Sequence, residues 1–184
     1  MSTIYVYVDE SGQNDRRGDA LHVGIVAVQA NAREELQKRL EIVELRLAKR
    51  GKWNGTSVKR KAEYLRAALL HDAFPGVYWA RCPERYDYEE ATAAAAARAM
   101  QKIGSDHQFI VIIDGLKKTS RQRVAKVFRS HEIQWREIQV NKRDDSDSLL
   151  RLADSISGFM RDIHHCKDFT VNLWPEIAHS FTEV

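Results

Sequence analysis

The sequence predicts an α/β fold, in which one mixed sheet of five strands carries helices on both of its faces. Two leading apolar runs, 3–9 and 21–29, flank a turn-forming segment and predict an antiparallel hairpin. The alternation of strands and helices that follows predicts parallel crossover units. No repeat or Pro/Gly-rich boundary divides the 184 residues, so we expect one domain, 1–184, with a core over 3–164 and a C-terminal tail at 165–184.

The other elements are predicted from hydrophobic periodicity and turn signals. The predicted later strands are 77–82, 107–113 and 133–140. The predicted helices are 32–50, 57–72, 87–103, 119–130 and 146–164. Gly51 to Gly55 predicts a loop, Pro75-Gly76 a turn, and Gly104 a helix C-terminal cap. The segment Phe169–Trp174 is expected either to add an edge strand or to pack over the core.

Composition excludes several classes of protein. Apolar residues make up 43% and charged residues 30%, which is ordinary for a soluble globular protein. No apolar stretch approaches the roughly 18 residues that span a membrane, and the first residues lack a signal-peptide pattern. Cys82 and Cys166 have no Cys-x-x-Cys spacing, so we expect reduced thiols in a cytoplasmic protein. The cluster His164-His165-Cys166 is expected to be a chance surface cluster and not a zinc site.

Charge is distributed unevenly along the chain. The net charge of +3 is too mild to name a partner. Lys and Arg are concentrated in two segments, 46–66 and 117–129, the second of which contains no acid. Such segments either neutralise phosphates or are solvated helix faces, and both interpretations stay open here.

Two predicted strands end on a carboxylate. The run Thr3 to Val8 is followed by Asp9, and the run Phe109 to Ile113 is followed by Asp114. Ligands of open α/β sheets bind just beyond the carboxyl ends of the strands. Mg²⁺ is bound there through a few carboxylates together with substrate phosphates. The two aspartates therefore predict a candidate cation site.

A late helix supplies a third acid. Leu149, Leu152, Ala153, Ile156 and Met160 form an apolar stripe at helical spacing. Asp154 lies at the margin of that stripe, where a carboxylate is costly unless it is paired or on a metal. Asp147 lies two turns earlier on nearly the same side, and its alternative role is that of a helix N-terminal cap. Gly158, one turn after Asp154, removes a side chain where a strand or a substrate could approach.

Together, Asp9, Asp114 and Asp154 predict an oxygen-only site that favours Mg²⁺ or Mn²⁺ over zinc. Two such ions about 4 Å apart would activate a water and stabilise the leaving oxygen of a phosphoryl displacement. Glu10 follows Asp9 and points to the opposite face of a regular strand. We therefore expect Glu10 to join the site only if the strand breaks at Ser11-Gly12.

Two motifs carry a resemblance to a known family. Tyr7-Val8-Asp9-Glu10-Ser11-Gly12 and Leu152-Ala153-Asp154-Ser155-Ile156-Ser157-Gly158 resemble the opening and the late helix of the bacterial and phage family called domain of unknown function 3800. That family is similar to the ribonuclease H-like superfamily. The resemblance implies a ribonuclease H-like mixed sheet and acid-bound metals. It also implies that Asp9, Asp114 and Asp154 are the metal ligands, with Glu10 or Asp147 in support.

The chain departs from that pattern at two places. Ribonuclease H-like nucleases usually carry a further acid on the first helix after the opening strands, and the candidates here are Glu41, Glu44 and Glu63. Many relatives carry an acid or His before the Lys-Trp of the loop, where this chain has Gly51. Lys52 is expected to contact a scissile phosphate. Trp53 either stacks on a base or is buried as the anchor of the loop.

The function predicted is that of a metal-dependent nuclease acting on DNA or RNA. Its basic segments would hold the nucleic-acid backbone, with Lys117, Lys118 and Arg121 close after Asp114 and the helix start at Thr119-Ser120 open to a phosphate. The alternative is a catalytically inactive nucleic-acid or protein interaction module that keeps the fold. A phosphatase of the haloacid dehalogenase type is disfavoured, because the Asp-x-Asp of that class is absent at Asp9.

Overall fold

The structure, a computed structural model, describes residues 2–12, 20–49, 52–69, 76–82, 87–142 and 147–184. These residues form six strands and six α-helices. The strands are β1 (Ser2–Ser11), β2 (Leu21–Gln29), β3 (Gly76–Cys82), β4 (His107–Asp114), β5 (Trp135–Lys142) and β6 (Thr182–Glu183). The helices are α1 (Arg33–Arg46), α2 (Val58–Leu69), α3 (Tyr88–Ile103), α4 (Arg121–Ser130), α5 (Ser148–His164) and α6 (Asp168–Ile177).

The strands form one mixed sheet in the order β5-β4-β1-β2-β3-β6. The first three strands pair antiparallel, β1 with β2 and β2 with β3. The others are parallel: β4 pairs with β1, β5 with β4, and β6 with β3. This order brings β1 and β4, the two strands that end on aspartates, next to each other and in the same direction.

Each face of the sheet packs against its own set of helices. Along β1, Ile4, Val6 and Val8 pack on one side with the alanine-rich α3 and with α4. On the other side Tyr7 joins a core that α1, α2, α5 and α6 complete. Small alanines suit α3 to this position, because they let a helix lie close to a sheet. The predicted fold class, a mixed sheet with helices on both faces, is confirmed.

The structure corrects two expectations about elements. The sheet has six strands, not five, and the sixth is 182–183. The segment 169–174 is helical and packs over the core as part of α6, which is one of the two roles expected for it. The first helix ends at Arg46, not near residue 50, because the chain turns at Ala48 with a φ of 47°. The turn predicted at Pro75 and the loop glycine Gly51 lie outside the described residues. None of the helices described is long and apolar enough to cross a membrane.

Helix α5 crosses the sheet at a glycine. Gly24 of β2 faces the α5 backbone so closely that a Cβ atom there would lie 2.4 Å from the carbonyl oxygen of Ala153 and 2.6 Å from the amide nitrogen of Ser157. No real side chain tolerates such distances, so a residue without a Cβ atom is required here. Gly24 is also the cross-strand partner of Asp9. The glycine therefore brings the turn of α5 that contains Asp154 close to the end of β1.

We predict that Gly24→Ala destabilises the protein by about 1–3 kcal/mol, the usual cost of overpacking a well-packed contact. The added methyl group must push α5 away from β2, since the atoms it meets are backbone atoms that cannot rotate aside. The midpoint of urea denaturation measures this loss.

Gly55→Ala is the matched control, because a Cβ atom at Gly55 meets nothing within 4 Å. That variant is expected to unfold at the wild-type midpoint or slightly above it. Equal midpoints for Gly24→Ala and Gly55→Ala would contradict the close packing of α5 on β2.

Candidate functional site

Asp9 and Asp114 lie beside each other at the end of two parallel strands. The last pair of the β1–β4 ladder is Val8 with Ile113, so the two aspartates follow directly beyond it. Both are buried, with 7% and 6% of their surface exposed. The alternation of side chains along β1 turns Asp9 to the same face as Tyr7, which is the face that α5 covers.

Asp154 of α5 completes a carboxylate-lined cavity. Asp9, Asp114 and Asp154 all line one open cavity of about 530 Å³ at the carboxyl ends of β1 and β4. One oxygen of the Asp154 carboxylate accepts a hydrogen bond of 2.7 Å from the backbone N–H of Trp53. The structure thus brings together the three acids that the sequence predicted would share a site.

Glu10 is the fourth carboxylate of the cavity, and it reaches it by an unexpected route. The strand does not break, since β1 remains paired with β2 as far as Ser11. The expectation that a break was required is therefore wrong. Instead β4 ends next to Glu10, and Gly115 turns away with a φ of 73°. A Cβ atom at Gly115 would lie 3.0 Å from Glu10 Oε1, so the glycine leaves room for this carboxylate.

The acids repel one another. Burial raises the pKa of Asp9 well above its usual value, and the charges of Glu10, Asp154 and Asp114 raise it further. Burial, and then the charge of Asp114, raises the pKa of Glu10 to about 8. Such repulsion means that the cavity has a deficit of positive charge, which a bound cation would relieve.

The acidic cavity is also lined by Lys52, Asn54 and Arg161. The Lys52 ammonium lies 4.0 Å from Asp114 Oδ2 and lowers the pKa of both Asp9 and Glu10. Arg161 lies two turns after Asp154 on α5 and donates a hydrogen bond to the side-chain oxygen of Asn54. The sequence interpretation missed Arg161 and Asn54. The seven-residue spacing from Asp154 to Arg161, which places both on one side of the helix, was the available signal.

Trp53 is an anchor and not a stacking platform. Its side chain is 1% exposed, and its indole N–H donates a 2.8 Å hydrogen bond to the buried Asp162. A Cβ atom at Gly158 would lie 2.3 Å from Trp53 Cδ1, so it is the indole ring, and not a strand or a substrate, that fills the space left by this glycine. The hypothesis that Trp53 stacks on a base is wrong, because the ring has no exposed face. Its burial holds Lys52 and Asn54 at the cavity.

Asp147 is a helix cap. Its carboxylate accepts a 3.0 Å hydrogen bond from the N–H of Leu149 and a 3.1 Å bond from Gln37, and it lies 3.8 Å from Arg33. It does not belong to the residues that line the cavity. The suggestion that Asp147 supports catalysis is therefore corrected, because its oxygens stabilise the start of α5.

None of the proposed helix acids provides a further ligand. Glu44 is buried in an ion pair with Arg151, with contacts of 2.7 to 3.0 Å. Glu41 is exposed, and Glu63 pairs with Lys59 one turn earlier on α2. None of the three lines the cavity, where Glu10 stands instead.

The two basic segments are not single surfaces. Within 46–66, Lys49 and Lys61 are buried, the first against the ring of Tyr64 and the second beside Asp162. These two ammonium groups contribute to the interior and cannot contact a phosphate. Arg50 lies outside the described residues.

The segment after Asp114 does present cations. Lys117, Lys118 and Arg121 are exposed, although none of them lines the cavity, so their binding of substrate stays a prediction. Ser120 is buried and its hydroxyl donates a 2.6 Å hydrogen bond to Glu89. This hydroxyl is therefore engaged with Glu89, and phosphate binding at the helix start Thr119-Ser120 stays a prediction.

The donor chemistry of the cavity suits a hard divalent cation, since its carboxylate oxygens are the ligands that Mg²⁺ and Mn²⁺ prefer. In the part of the chain that the structure describes, no three His, Cys, Asp or Glu side chains form a group ready to hold an ion. The roles of Asp9, Asp114 and Asp154 as metal ligands therefore stay a prediction.

Comparison with known proteins supports the fold. The chain is similar to the crystal structure of the ribonuclease H2 from Pyrococcus horikoshii OT3, with 16% identity, a TM-score of 0.60, and coverage of 89% of this chain and 75% of that chain. The N-terminal RNase H domain of a Mycobacterium tuberculosis protein, solved as a fusion with maltose binding protein, matches with 11% identity and a TM-score of 0.42, over 91% of this chain and 100% of that one. No family model and no curated protein matches. The chain has a ribonuclease H-like fold.

We predict that Glu10→Gln stabilises the cation-free protein and that the gain grows between about pH 4.5 and pH 8. The unfolded chain ionises Glu10 near its ordinary pKa of 4.5, whereas the folded protein ionises it at about 8. The stability that comes from protonated Glu10 is complete below pH 4.5 and is lost as the pH rises through 8. Glutamine does not titrate, so it escapes this loss.

Thermal unfolding of both proteins in EDTA at pH 5 and pH 8 measures the difference. Each kcal/mol gained corresponds to about 2–4 °C in Tm for a chain of this size. Glu41→Gln, on the exposed side of α1, serves as the control and is expected to change Tm equally at the two pH values. A Glu10→Gln gain that shrinks towards pH 8 would contradict the repulsion described here.

We also predict that Gly158→Ala costs about 1–3 kcal/mol through its clash with the indole ring. A double-mutant cycle with Trp53→Ala tests the cause. Trp53→Ala removes Cδ1 and Cγ, the two nearest of the three atoms that the new methyl group would meet, and leaves only Cβ, at 3.0 Å. In that background Gly158→Ala is therefore expected to cost much less. An unchanged cost there would mean that the glycine serves the helix backbone and not the indole contact.

Proposed function

We propose that this protein is a Mg²⁺- or Mn²⁺-dependent nuclease that hydrolyses phosphodiester bonds of DNA or RNA. The observation that carries this proposal is the 530 Å³ cavity, in which Asp9, Glu10, Asp114 and Asp154 face a common space together with Lys52. Four acids near one another are unfavourable in a protein whose only task is to fold. They are useful where divalent cations bind.

In this proposal Asp9, Asp114 and Asp154 hold the cations and Glu10 supports them. The ions, when bound, supply a positive field that lowers the pKa of an attacking water and stabilises the departing oxygen. Lys52 contributes a mobile positive charge at the entrance, since its side chain is 64% exposed while its ammonium reaches Asp114. It is placed to contact a phosphate oxygen and to hold the phosphodiester against the acids.

The motifs Tyr7–Gly12 and Leu152–Gly158 support membership of the domain of unknown function 3800 family. Both motifs contribute acids to the same cavity. In the first motif Asp9 and Glu10 reach the cavity from opposite faces of β1. In the second, Asp154 provides a ligand and Gly158 makes room for Trp53.

A second candidate is a nucleic-acid or protein interaction module without catalysis. One observation favours it: the ammonium of Lys52 stands where it partly neutralises the acids, 4.0 Å from Asp114. A resident lysine could serve in place of a metal ion. The two candidates differ in whether cation binding and strand cleavage depend on the same carboxylates.

We predict that the purified protein cleaves nucleic acid with Mg²⁺ or Mn²⁺, and that Asp9→Asn, Asp114→Asn and Asp154→Asn each lower the rate by about a hundredfold or more. The physical reason is the loss of one anionic ligand with almost no change of shape. The assay uses labelled single- and double-stranded DNA, RNA and an RNA/DNA hybrid.

Asp147→Asn is the matched control, because asparagine still caps a helix and the residue lies outside the cavity. It is expected to cleave at the wild-type rate. Cleavage that survives Asp114→Asn unchanged would contradict the nuclease proposal. Binding without cleavage, strengthened by Asp114→Asn through reduced repulsion of phosphate, would favour the interaction module.

A further inference from the structure

Beside the acidic cavity, on the same face of the sheet, the side chains change from acidic to basic. The acids stand at the ends of β4 and β1. On the adjoining strands, Ser11 of β1 pairs with His22 of β2, and His22 pairs with Arg81 of β3. Arg81 is exposed, whereas only 1% of the surface of His22 is. The C-terminal part of α5 lies over this row and adds Arg161 and His164.

His22 is buried in a positive environment. Its ring centroid lies 5.4 Å from that of His164, and its Nδ1 atom has no hydrogen-bond partner among the described residues. Burial, and then electrostatic interactions with His164, Arg81 and Arg161, lower the pKa of His22 to about 4. A neutral imidazole whose nitrogen is buried without a partner is costly in a protein interior. The arrangement is therefore unusual for a residue that only fills space.

The other side chains of this group are held in place by each other. Arg81 Nη2 lies 3.2 Å from His164 Nε2. A guanidinium can only donate, so His164 accepts this bond on Nε2 and carries its proton on Nδ1 as a second donor. Among the described residues, no carboxylate forms an ion pair with Arg81, Arg161 or His164. In the described part of the chain, the two guanidinium groups of Arg81 and Arg161 are thus not neutralised by a direct ion pair.

Arg161 connects this group to the acidic cavity. It lines the cavity and also acts electrostatically on His22. Along α5, Arg161 and His164 follow Asp154 by seven and ten residues, which is about 10–15 Å at 1.5 Å per residue. That distance corresponds to about three to four nucleotides of duplex at about 3.4 Å each.

We propose that Arg81, Arg161 and His164 form a phosphate-binding subsite that holds the nucleic-acid backbone a few nucleotides from the bond positioned at Asp9 and Asp114. The inference rests on the proposed function, because its ligand is the strand that enters the acidic cavity. Guanidinium groups bind phosphate oxygens through paired N–H donors, and the Nδ1–H of His164 adds another. Contacts of this kind position the strand without reading its sequence.

A cation is the wrong ligand for this group. Two of its members are guanidinium groups, which repel metal ions, and in the described part of the chain no set of His, Cys, Asp or Glu is arranged to hold one. A phosphate backbone satisfies the charge of Arg81 and Arg161 at once. It also continues into the cavity that Arg161 already borders.

We predict that Arg81→Ala weakens binding of a fluorescein-labelled 20-nucleotide strand by roughly threefold to tenfold at 0.1 M salt, and flattens the plot of log K against log salt by about 0.7. Fluorescence anisotropy of the full chain in EDTA measures binding without cleavage. Arg81→Lys is expected to keep the salt slope and to recover part of the affinity. Shortening the strand stepwise from each end is expected to abolish the difference between Arg81→Ala and wild type once the strand no longer reaches Arg81.

Arg136→Ala is the charge-matched control. Arg136 is exposed at the start of β5, at the opposite end of that strand from the acids, and its loss is expected to leave affinity and salt slope unchanged. Unfolding midpoints of both variants confirm that each is folded. Equal binding by Arg81→Ala and Arg136→Ala, or the absence of any strand binding by the wild type, would overturn the subsite. The subsite would also be overturned if Arg81→Ala weakened only the binding of inorganic phosphate, titrated in the same assay, and not the binding of the strand. The ligand would then be a free anion.

The subsite and the nuclease activity fail in different measurements. If Arg81→Ala changes neither Mg²⁺-dependent cleavage nor strand binding in EDTA, the subsite is contradicted and the nuclease proposal is not. If strand binding depends on Arg81 but the protein shows no metal-dependent cleavage, the subsite is supported and the nuclease proposal is contradicted.

Discussion

The contact between Gly24 and the backbone of α5 determines the geometry of the site. Because Gly24 has no side chain, the turn from Ala153 to Ser157 lies directly on β2. The cross-strand partner of Gly24 is Asp9, so the same contact sets how far Asp154 stands from the end of β1. The acids on β1 and β4 are adjacent through strand pairing alone. The third acid joins them only because a helix and a sheet approach at backbone distance.

A second constraint holds the loop that borders the cavity. Burial by itself would raise the pKa of Asp162, but hydrogen bonds from Lys167 and Trp53 and the charge of Lys61 outweigh it and keep the pKa below its usual value. The ionised carboxylate thus binds the indole N–H from inside the core. Trp53 is fixed at both ends, since its backbone N–H is bonded to Asp154. The core residue and the site residue are therefore coupled, and a change in either moves the other.

Much of this arrangement follows from local patterns in the sequence. The bounds of β2 and the presence of two strands that end on Asp9 and Asp114 could be predicted, because hydrophobic patterning and the strand-end rule act over a few residues. The cavity role of Glu10 could not, since it depends on where a neighbouring strand ends and on Gly115. The burial of Trp53 depends on Gly158, more than a hundred residues away. Long-range packing of this kind leaves no mark in local periodicity.

Like charges are grouped at one end of the sheet, with acids at the ends of β1 and β4 and basic side chains beside them on β3 and α5. On the β1–β4 side, burial and then the neighbouring carboxylates raise the pKa of Asp9, and on the β2–β3 side, burial and then the nearby basic side chains lower the pKa of His22. Each half lowers the stability of the isolated protein, because like charges are held together at limited exposure. The ligands of the proposed function, a phosphodiester strand and divalent cations, carry the complementary charges in the same order. Binding would therefore relieve both halves at once, which is the expected sign of a surface shaped by its ligand and not by folding alone.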